Sequence, residues 1–361
     1  MQTSVVFHFD LLYFSFILLL LGSTVSDQQF LGMTDSATSV TRARVLLVGC
    51  GDVGTRTGWL LHRLGYHVTA LKRNTTTLPD EFVKVSSDVT DPAKLKRAFS
   101  GCSLAYEYVI VTLSTGPPRT EERYEKVYVQ GLRNVLNSLT TQCGKPGLVI
   151  FVSSTSVYGQ DNGELITEES PTEPTKFNGK CLLRAEQLLF NWAREVQANA
   201  IVVRFGGIYG SGRSGRLIQQ VQQGGSARKA PVTYSNRIHV EDCAGVLKHF
   251  VQLFQASELQ GDKATAPLCS CFIGVDMEQA PMWDVQAWIA KELGYAENHI
   301  LASDNSDEAS STESTTARGK RCCNKRLLET GYQFKFPTYR EGYHSILRDF
   351  TANQNQAVAC Q

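Results

Sequence analysis

The first part of the chain alternates between short apolar runs and stretches that are apolar on one side only. An uninterrupted apolar run occupies residues 45–48, and after three glycines the apolar residues return at helical spacing between Trp59 and Leu64. The first pattern is typical of a strand buried on both faces, and the second is typical of an amphipathic helix. Further apolar runs follow at 67–71, 108–113 and 148–152. This order predicts an α/β fold with a doubly wound parallel sheet.

A glycine-rich segment connects the first predicted strand to the first helix. It has the form Gly-x-Gly-x-x-Gly and consists of Gly49, Cys50, Gly51, Asp52, Val53 and Gly54. In such a segment the first glycine allows a sharp turn, the second lets the backbone approach a pyrophosphate, and the third lets the helix pack on the strand. The following helix N-terminus directs N–H groups and a positive dipole end at the phosphates. We therefore predict that these residues bind a dinucleotide; the alternative is a purely structural turn.

The end of the second strand bears on the choice of cofactor. Lys72 and Arg73 stand about twenty residues after the glycines, where NAD-preferring sites place an Asp or Glu for the ribose hydroxyl. A guanidinium can instead grip a 2′-phosphate, so these cations favour NADP(H) over NAD(H). The alternative is that both are solvated loop charges. The ends of the third and fourth strands complete the predicted cofactor site with Asp88, Val89 and Leu113.

Length and composition set limits on the function. With 361 residues, of which 42% are hydrophobic, the chain can bury the core of one large domain or two modest ones. The formal net charge of +1 gives no reason to expect a nucleic acid partner. The 10 cysteines lack metal-type spacing, so we predict no metal site. They are interpreted mainly as small buried hydrophobic residues in a reducing compartment.

An apolar segment near the N-terminus is a candidate targeting signal. Residues 11–21 have the length of a signal-peptide core and are too short for a comfortable membrane span. However, the preceding residues contain Asp10 and no Lys or Arg, which is unfavourable for a secretory signal. We predict a signal or targeting segment at 1–26 and a linker at 27–43. Contact with a membrane is expected only through the first segment, if it is not cleaved.

A glycosylation sequon affects the expected location. It begins at Asn74, directly after Arg73. In a glycosylating compartment a bulky sugar could be attached beside the predicted 2′-phosphate site. A cytoplasmic or organelle-stromal protein is therefore favoured, and passage through the secretory pathway is the alternative.

Three further motifs occur in the order of a known enzyme superfamily. They are Ser-Ser-x-x-Val-Tyr-Gly at 153–159, Arg-x-x-x-x-Tyr-Gly at 204–210 and Ile-His-Val-x-Asp at 238–242. Over residues 44–345 the chain resembles the extended short-chain dehydrogenase/reductases, which include NAD(P)-dependent sugar epimerases and dehydratases. Its glycine loop, Gly-Cys-Gly-Asp-Val-Gly-Thr-Arg, is similar to that of the atypical, YeeZ-like branch.

The resemblance implies a Rossmann domain of about seven parallel strands and a small C-terminal substrate-binding lobe. We expect the NAD(P)-binding domain at 44–204, with 236–255 returning to it. The lobe is expected at 205–235 and 264–350. It contains an acidic, Ser/Thr-rich stretch at 303–316 that predicts a disordered loop. A homodimer is possible.

The chain departs from the family at its acid/base pair. The family carries Tyr-x-x-x-Lys with a Glu four residues after the Lys; the Tyr transfers a proton, and the Lys lowers its pKa and holds the nicotinamide ribose. Aligning the family Glu with Glu186 places Asn178 at the Tyr position and Leu182 at the Lys position. An amide does not titrate and leucine carries no charge, so the usual pair is missing.

Three residues remain candidates for catalysis. Ser154 is retained and could hydrogen-bond a substrate oxygen, although a strand-end serine can also serve the backbone. Tyr128 replaces a family Asn and could supply a phenol, or could simply pack in the core. Asn178 is the third candidate because of its position. His239 is interpreted as structural, and Glu168 as solvated.

Two functions follow from these residues. The leading one is an NAD(P)-binding oxidoreductase or epimerase-like enzyme that acts on a small polar substrate with altered acid/base chemistry. The alternative is a non-catalytic NADP(H)-binding redox sensor or scaffold protein, because the usual titrating pair is absent.

Overall fold

The computed structural model describes residues 43–102, 105–213, 215–225, 227, 229–260, 268–296, 299–300 and 317–348. The predicted targeting segment, the predicted linker up to residue 42 and the predicted loop at 303–316 lie outside the described residues.

The described residues form three parallel sheets and the helices that cover them. The strands are β1 (Arg44–Val48), β2 (His67–Lys72), β3 (Val83–Ser86), β4 (Tyr108–Val111), β5 (Leu148–Ser154), β6 (Asn162–Ile166), β7 (Asn199–Phe205), β8 (Gly207–Tyr209), β9 (Arg237–His239), β10 (Cys269–Gly274) and β11 (Gly319–Cys322). The helices are α1 (Asp52–Arg63), α2 (Pro92–Phe99), α3 (Glu121–Tyr124), α4 (Gly131–Gln142), α5 (Phe177–Val196), α6 (Gly215–Gln222), α7 (Val240–Leu259), α8 (Met282–Glu292), α9 (Lys325–Glu329) and α10 (339–348). A π-helical segment, Glu125–Gln130, joins α3 to α4.

The main sheet has seven strands in the order β3-β2-β1-β4-β5-β7-β10, and every neighbouring pair is parallel. Alternate residues of β1 face opposite sides: Leu46 and Val48 join one hydrophobic cluster with α2, α4 and α5, whereas Val45 and Leu47 join another with α1 and α7. Helices therefore cover both faces of the sheet. The predicted doubly wound α/β fold is confirmed.

A third hydrophobic cluster lies within the ranges predicted for the lobe. Ile218 of α6 and Val285 and Ile289 of α8 pack there with Tyr339 and Tyr343 of α10. Of the two short sheets, β8–β9 contributes Tyr209 to this cluster, whereas β6–β11 contributes Ile166 and Cys322 to the cluster that contains Leu46. Within the described residues no helix is long and apolar enough to cross a membrane.

One part of the predicted lobe belongs to the main sheet. The range 264–350 was expected to form the lobe, but β10 within it is the edge strand of the seven-stranded sheet. Phe272 of β10 pairs in register with Val203 of β7. The strand β7 ends at Phe205, one residue beyond the predicted end of the NAD(P)-binding domain at 204. The pattern of β10 is short and interrupted by Ser270, which is why it did not indicate a strand.

Candidate active site

The glycine loop combines a strained turn, a tight packing contact and an open side. Gly49 has φ +79°, and its N–H donates to the carbonyl oxygen of Leu71 at 2.9 Å. A Cβ on Gly54 would lie 2.8 Å from Oγ1 of Thr112, so this glycine lets α1 approach β4 closely. A Cβ on Gly51 would meet nothing nearer than 3.8 Å. Of these three glycines, Gly51 therefore presents an open side on which a ligand could lie.

The first turn of α1 suits an anion. The helix begins at Asp52, and the N-cap residue Gly51 offers no side chain to its first N–H groups. The Asp52 carboxylate accepts hydrogen bonds from Arg56 at 2.8 Å and Arg213 at 2.6 Å. Burial alone would raise the pKa of Asp52, but these two guanidinium groups lower it. The Arg56 guanidinium also lies 3.8 Å from the Glu241 carboxylate, so two carboxylates offset the two guanidinium groups. The feature that favours a phosphate here is the helix N-terminus itself.

Two loop residues can offer only their backbone. The Cys50 side chain is buried, lies 3.6 Å from Oγ1 of Thr55, and has a thiol pKa raised by burial. Val53 also directs its side chain into the core. Any contact that these residues make with a cofactor must therefore use their N–H groups.

The two predicted cofactor-selecting cations have different surroundings. Lys72 donates to Oγ1 of Thr77 at 3.1 Å. Arg73 is exposed, and its side chain makes no hydrogen bond or ion pair within the described residues. Lys72 is the last residue of β2 and Arg73 follows it, and because Leu71 pairs with Val48, this strand ends at the same sheet edge as the glycine loop. Arg73 is therefore the cation that is available for a ligand.

The other predicted cofactor contacts surround the same edge. Leu113 lies against the loop, since its Cα would be 3.1 Å from a Cβ on Gly49. Val89 is buried against Gly131 of α4. The Asp88 carboxylate accepts the N–H of Thr90 at 2.9 Å and its hydroxyl at 2.8 Å, so one of its oxygens orders its own turn.

Ser154 ends β5 and serves the backbone that follows. Its hydroxyl oxygen accepts the N–H of Ser156 at 3.2 Å and thereby caps a short 3₁₀ turn, Thr155–Val157. Ser154 therefore does serve the backbone, as the alternative interpretation of this serine expects. No described acceptor receives the hydrogen of the hydroxyl, so Ser154 could also donate to a substrate.

The first turn of α5 rests directly on this segment. A Cβ on Gly179 would lie 2.2 Å from the carbonyl oxygen of Ser156, so only glycine fits there. The neighbouring Asn178 is half-buried and makes no side-chain hydrogen bond within the described residues. Leu182 is buried in the core, whereas Lys180 is exposed and cannot replace the missing lysine from its position on the helix.

Contacts between aromatic rings link Tyr128 to the start of α5. It is half-buried in the π-helical segment; its ring packs on Tyr124 at 5.1 Å, and Tyr124 packs on Phe177 at 5.4 Å. Burial raises the pKa of Tyr128 to about 12. The phenol therefore holds its proton at neutral pH and could act as a donor. π-helical insertions of this kind are frequent at functional sites.

Two residues of the family motifs form a buried ion pair behind the serine strand. Glu186 and Arg204 are joined at 2.6 Å with side chains 2% and 8% exposed. Arg204 also donates to the Tyr158 hydroxyl at 2.7 Å, and the Ser153 hydroxyl donates to Glu186 at 2.5 Å. These contacts connect α5, β5 and β7, so Glu186 supports the site although its lysine partner in the motif is absent.

The structure separates the two remaining sequence candidates. His239 is buried, accepts the N–H of Glu241 through Nδ1 at 3.3 Å, and contacts Tyr209 and Phe336; burial lowers its pKa to about 4. Its role is structural. The expectation that Glu168 is solvated is wrong: the carboxylate accepts the N–H of Ile273 at 2.8 Å, and burial raises its pKa.

Two basic residues near the site are not predicted from the sequence. Arg213 follows β8 and reaches the glycine loop, as described above. Lys320 of β11 is half-buried, donates to the carbonyl oxygen of Tyr158 at 2.5 Å, and has a pKa lowered by burial. Neither belongs to a motif, and both are brought near the site by contacts between distant segments. The only signal for Arg213 was its position directly after a glycine-rich strand end.

Comparison with known proteins agrees with this arrangement. Residues 45–259 match the NAD-dependent epimerase/dehydratase family. A structure from Methylobacillus flagellatus, provisionally assigned as an NAD-dependent epimerase/dehydratase, is 30% identical over 86% of this chain and 99% of its own, with a TM-score of 0.65. A search among curated proteins found no match.

More distant structures share the fold. UDP-glucose 4-epimerase from Thermotoga maritima, solved with UDP-glucose, is 17% identical over 83% of this chain and 96% of its own, with a TM-score of 0.60. MoeE5, solved with UDP-glucose and NAD, is 18% identical over the same shares, with a TM-score of 0.63. The family match, which covers more than half of the chain, and the 30% identical structure from Methylobacillus flagellatus show that the chain belongs to the NAD-dependent epimerase/dehydratase family.

Proposed function

We propose that the chain is an NADP(H)-dependent oxidoreductase or epimerase-like enzyme of the YeeZ-like branch, which acts on a small polar substrate without the Tyr-x-x-x-Lys pair. The observation that carries this proposal is the combination of an intact glycine loop with Asn178 and Leu182 at the two altered positions. The cofactor site is retained, while the acid/base chemistry has changed.

The residues around the loop fit a phosphorylated dinucleotide. The open side of Gly51 and the uncapped start of α1 suit the pyrophosphate, and the available Arg73 suits a 2′-phosphate. When bound, the nicotinamide supplies hydride transfer. The family match supports a nicotinamide cofactor, and the preference for NADP(H) rests on Arg73.

The chain's own groups can manage a proton without the missing pair. Ser154 can donate its hydroxyl hydrogen to a substrate oxygen, and Asn178 can orient the same group from the adjoining helix turn. Tyr128, whose phenol stays protonated at neutral pH, can donate a hydrogen bond to a substrate oxygen, although its raised pKa makes it a weaker acid than a free phenol. The expected loss on removing one such orienting donor is about tenfold or more in turnover.

The test pairs cofactor binding with turnover. Purified protein is titrated with NADPH and NADH by calorimetry, and NADPH oxidation is measured with a panel of small carbonyl compounds. UDP-glucose, which two compared structures contain, is tested separately for NADP+ reduction and for epimerisation. Ser154→Ala should lower turnover by about tenfold or more, Asn178→Ala by less, and the exposed control Lys180→Ala should change nothing. Silence of Ser154→Ala against a confirmed substrate would place the site elsewhere.

The alternative, a non-catalytic NADP(H) sensor or scaffold, is favoured by one observation: no described side chain replaces the missing Tyr and Lys at their helix positions. Tight NADPH binding with no turnover of any tested compound, by oxidation, reduction or epimerisation, would select it. The proposed location is the cytoplasm or an organelle stroma, and no nucleic acid partner is proposed.

A further inference from the structure

Three buried polar side chains meet where the main sheet joins the lobe. They are Arg237 at the start of β9, Asp276 just after β10 and Tyr339 at the start of α10, with exposed fractions of 5%, 1% and 0%. The Arg237 guanidinium lies over the Tyr339 ring, 5.7 Å from its centroid. The N–H of Asp276 donates to the carbonyl oxygen of Arg237 at 2.7 Å. Three separate segments therefore converge on one buried place.

Each of these side chains keeps an unpaired polar atom. Nη1 of Arg237, Oδ2 of Asp276 and the hydroxyl of Tyr339 have no hydrogen-bond partner among the described residues. Nη2 of Arg237 is used, since it donates to the Ser235 hydroxyl. Buried polar groups are normally paired, so three unpaired atoms in one cluster need partners that the described residues do not supply.

The cluster also has an unbalanced charge. Arg237 and Asp276 form no ion pair within the described residues, in contrast to the direct contact between Arg204 and Glu186. Burial raises the pKa of Asp276 to about 8, although Arg237 lowers it, so its carboxyl is mainly protonated at neutral pH. One guanidinium and two hydroxyl-type donors in the cluster are then left without acceptors. This set matches a singly charged acceptor with two oxygens.

The cluster lies at the edge of the sheet where α/β proteins bind ligands. Ser154, Phe205 and Gly274 pair in one row across β5, β7 and β10. Since neighbouring strands are about 4.8 Å apart, the Cα atoms of Ser154 and Gly274 are separated by roughly 10 Å. Asp276 follows two residues later, beyond the carboxyl end of the strand, in the usual position for a ligand crevice.

A cavity adjoins the cluster across one flexible side chain. It has a volume of about 310 Å³ and is lined by Thr233, Met282 and Arg318, among others. The Met282 sulfur is 4.0 Å from Nη2 of Arg237, so this unbranched side chain forms the wall between cavity and cluster. A volume of this size accommodates a small organic molecule.

We propose that Arg237, Asp276 and Tyr339 bind the carboxylate of a small organic acid whose remaining atoms extend along the sheet edge towards Ser154. The identification of that acid as the substrate rests on the proposed function, whereas the carboxylate site does not. Arg237 supplies the counter-charge, and the Asp276 and Tyr339 hydroxyls donate to the carboxylate oxygens.

The test uses the full chain and defined probes. Linear carboxylic acids from acetate to hexanoate, their neutral amides and inorganic phosphate are titrated at pH 7 by calorimetry, with and without NADPH. At least one acid should bind about tenfold or more tightly than its amide. Arg237→Met should abolish that preference, and Tyr339→Phe, which removes one hydroxyl only, should reduce it. Asp276→Asn should retain it.

Arg318→Met is the matched control, because Arg318 is an exposed arginine that lines the same cavity. It should leave the preference intact. The proposal is overturned if acids and amides bind equally, if phosphate alone binds, or if Arg318→Met rather than Arg237→Met removes the preference. NADPH binding is measured in the same samples, so that failure of the proposed function can be told from failure of the carboxylate site. If the wild-type protein does not bind NADPH, the proposed function is wrong, but the carboxylate site is unaffected.

Discussion

The buried pair between Glu186 and Arg204 yields the strongest prediction about stability. Glu186→Gln preserves the shape of the side chain but removes its charge, which leaves the Arg204 guanidinium buried without a counter-ion. Because the two side chains are only 2% and 8% exposed, water cannot replace the lost partner. Breaking such a pair from one side costs about 3–5 kcal/mol of unfolding free energy. Ser153 and Tyr158 hydrogen-bond to the pair, so breaking the pair should also disturb these two side chains.

The assay is urea denaturation followed by circular dichroism and tryptophan fluorescence. A matched control is the exposed pair Arg184–Glu125, whose side chains are 50% and 34% exposed; Glu125→Gln should cost about 1 kcal/mol or less. The double variant Glu186→Leu with Arg204→Met should cost less than the sum of the single changes, because it leaves no unpaired charge. If Glu186→Gln were as mild as Glu125→Gln, the interpretation of this pair as a buried support would be wrong.

Three further predictions concern the cofactor loop and the pH dependence of stability. Wild-type protein should bind NADPH about tenfold to a hundredfold more tightly than NADH, and Arg73→Ala should remove the difference; equal calorimetric affinities in the wild type would contradict the assignment. Gly51→Ala should fold normally but bind NADPH about tenfold or more weakly, whereas Gly54→Ala should lower the melting temperature because its Cβ would lie 2.8 Å from Thr112; identical melting curves for the two variants would refute this division. His239 has a folded pKa of about 4, below its ordinary value, so the unfolded chain takes up the proton first as the pH falls. His239 should thus contribute a loss of about 3 kcal/mol of stability between pH 7 and pH 4, and His249, whose pKa burial also lowers to about 4, should contribute a loss of its own. His239→Gln should therefore make the slope of stability against pH less steep without abolishing it; an unchanged slope would contradict the role assigned to His239.

The main sheet was predictable because its central strands are buried on both faces. Residues such as Val45–Val48 have to be apolar throughout, and this produces continuous runs that differ from the helices around them. The edge strand β10 was not predicted, because Ser270 interrupts its apolar pattern and because its pairing with β7 joins segments that are far apart in the chain. The chain between them gives no local sign of that contact.

The candidate site was predictable only where its residues are contiguous. The glycine loop and the pair Lys72–Arg73 are local features, and each is read from a few adjacent residues. Arg213 and Asp276 reach their positions through the tertiary fold, so no spacing rule points to them. For Glu168 the local pattern gave a wrong prediction. Its polar neighbours predict a solvated loop, but the carboxylate is partly buried and accepts the N–H of Ile273.

The ion pair between Arg213 and Asp52 joins a loop of the lobe to the loop of the predicted pyrophosphate site. A ligand that displaces the lobe loop therefore alters the charge beside the cofactor, and the cofactor influences the lobe loop in return. Linkage requires the two effects on affinity to be equal. A partly exposed pair of this kind contributes about 1 kcal/mol or less, so the cooperativity that it transmits is limited to roughly a fivefold change in either dissociation constant.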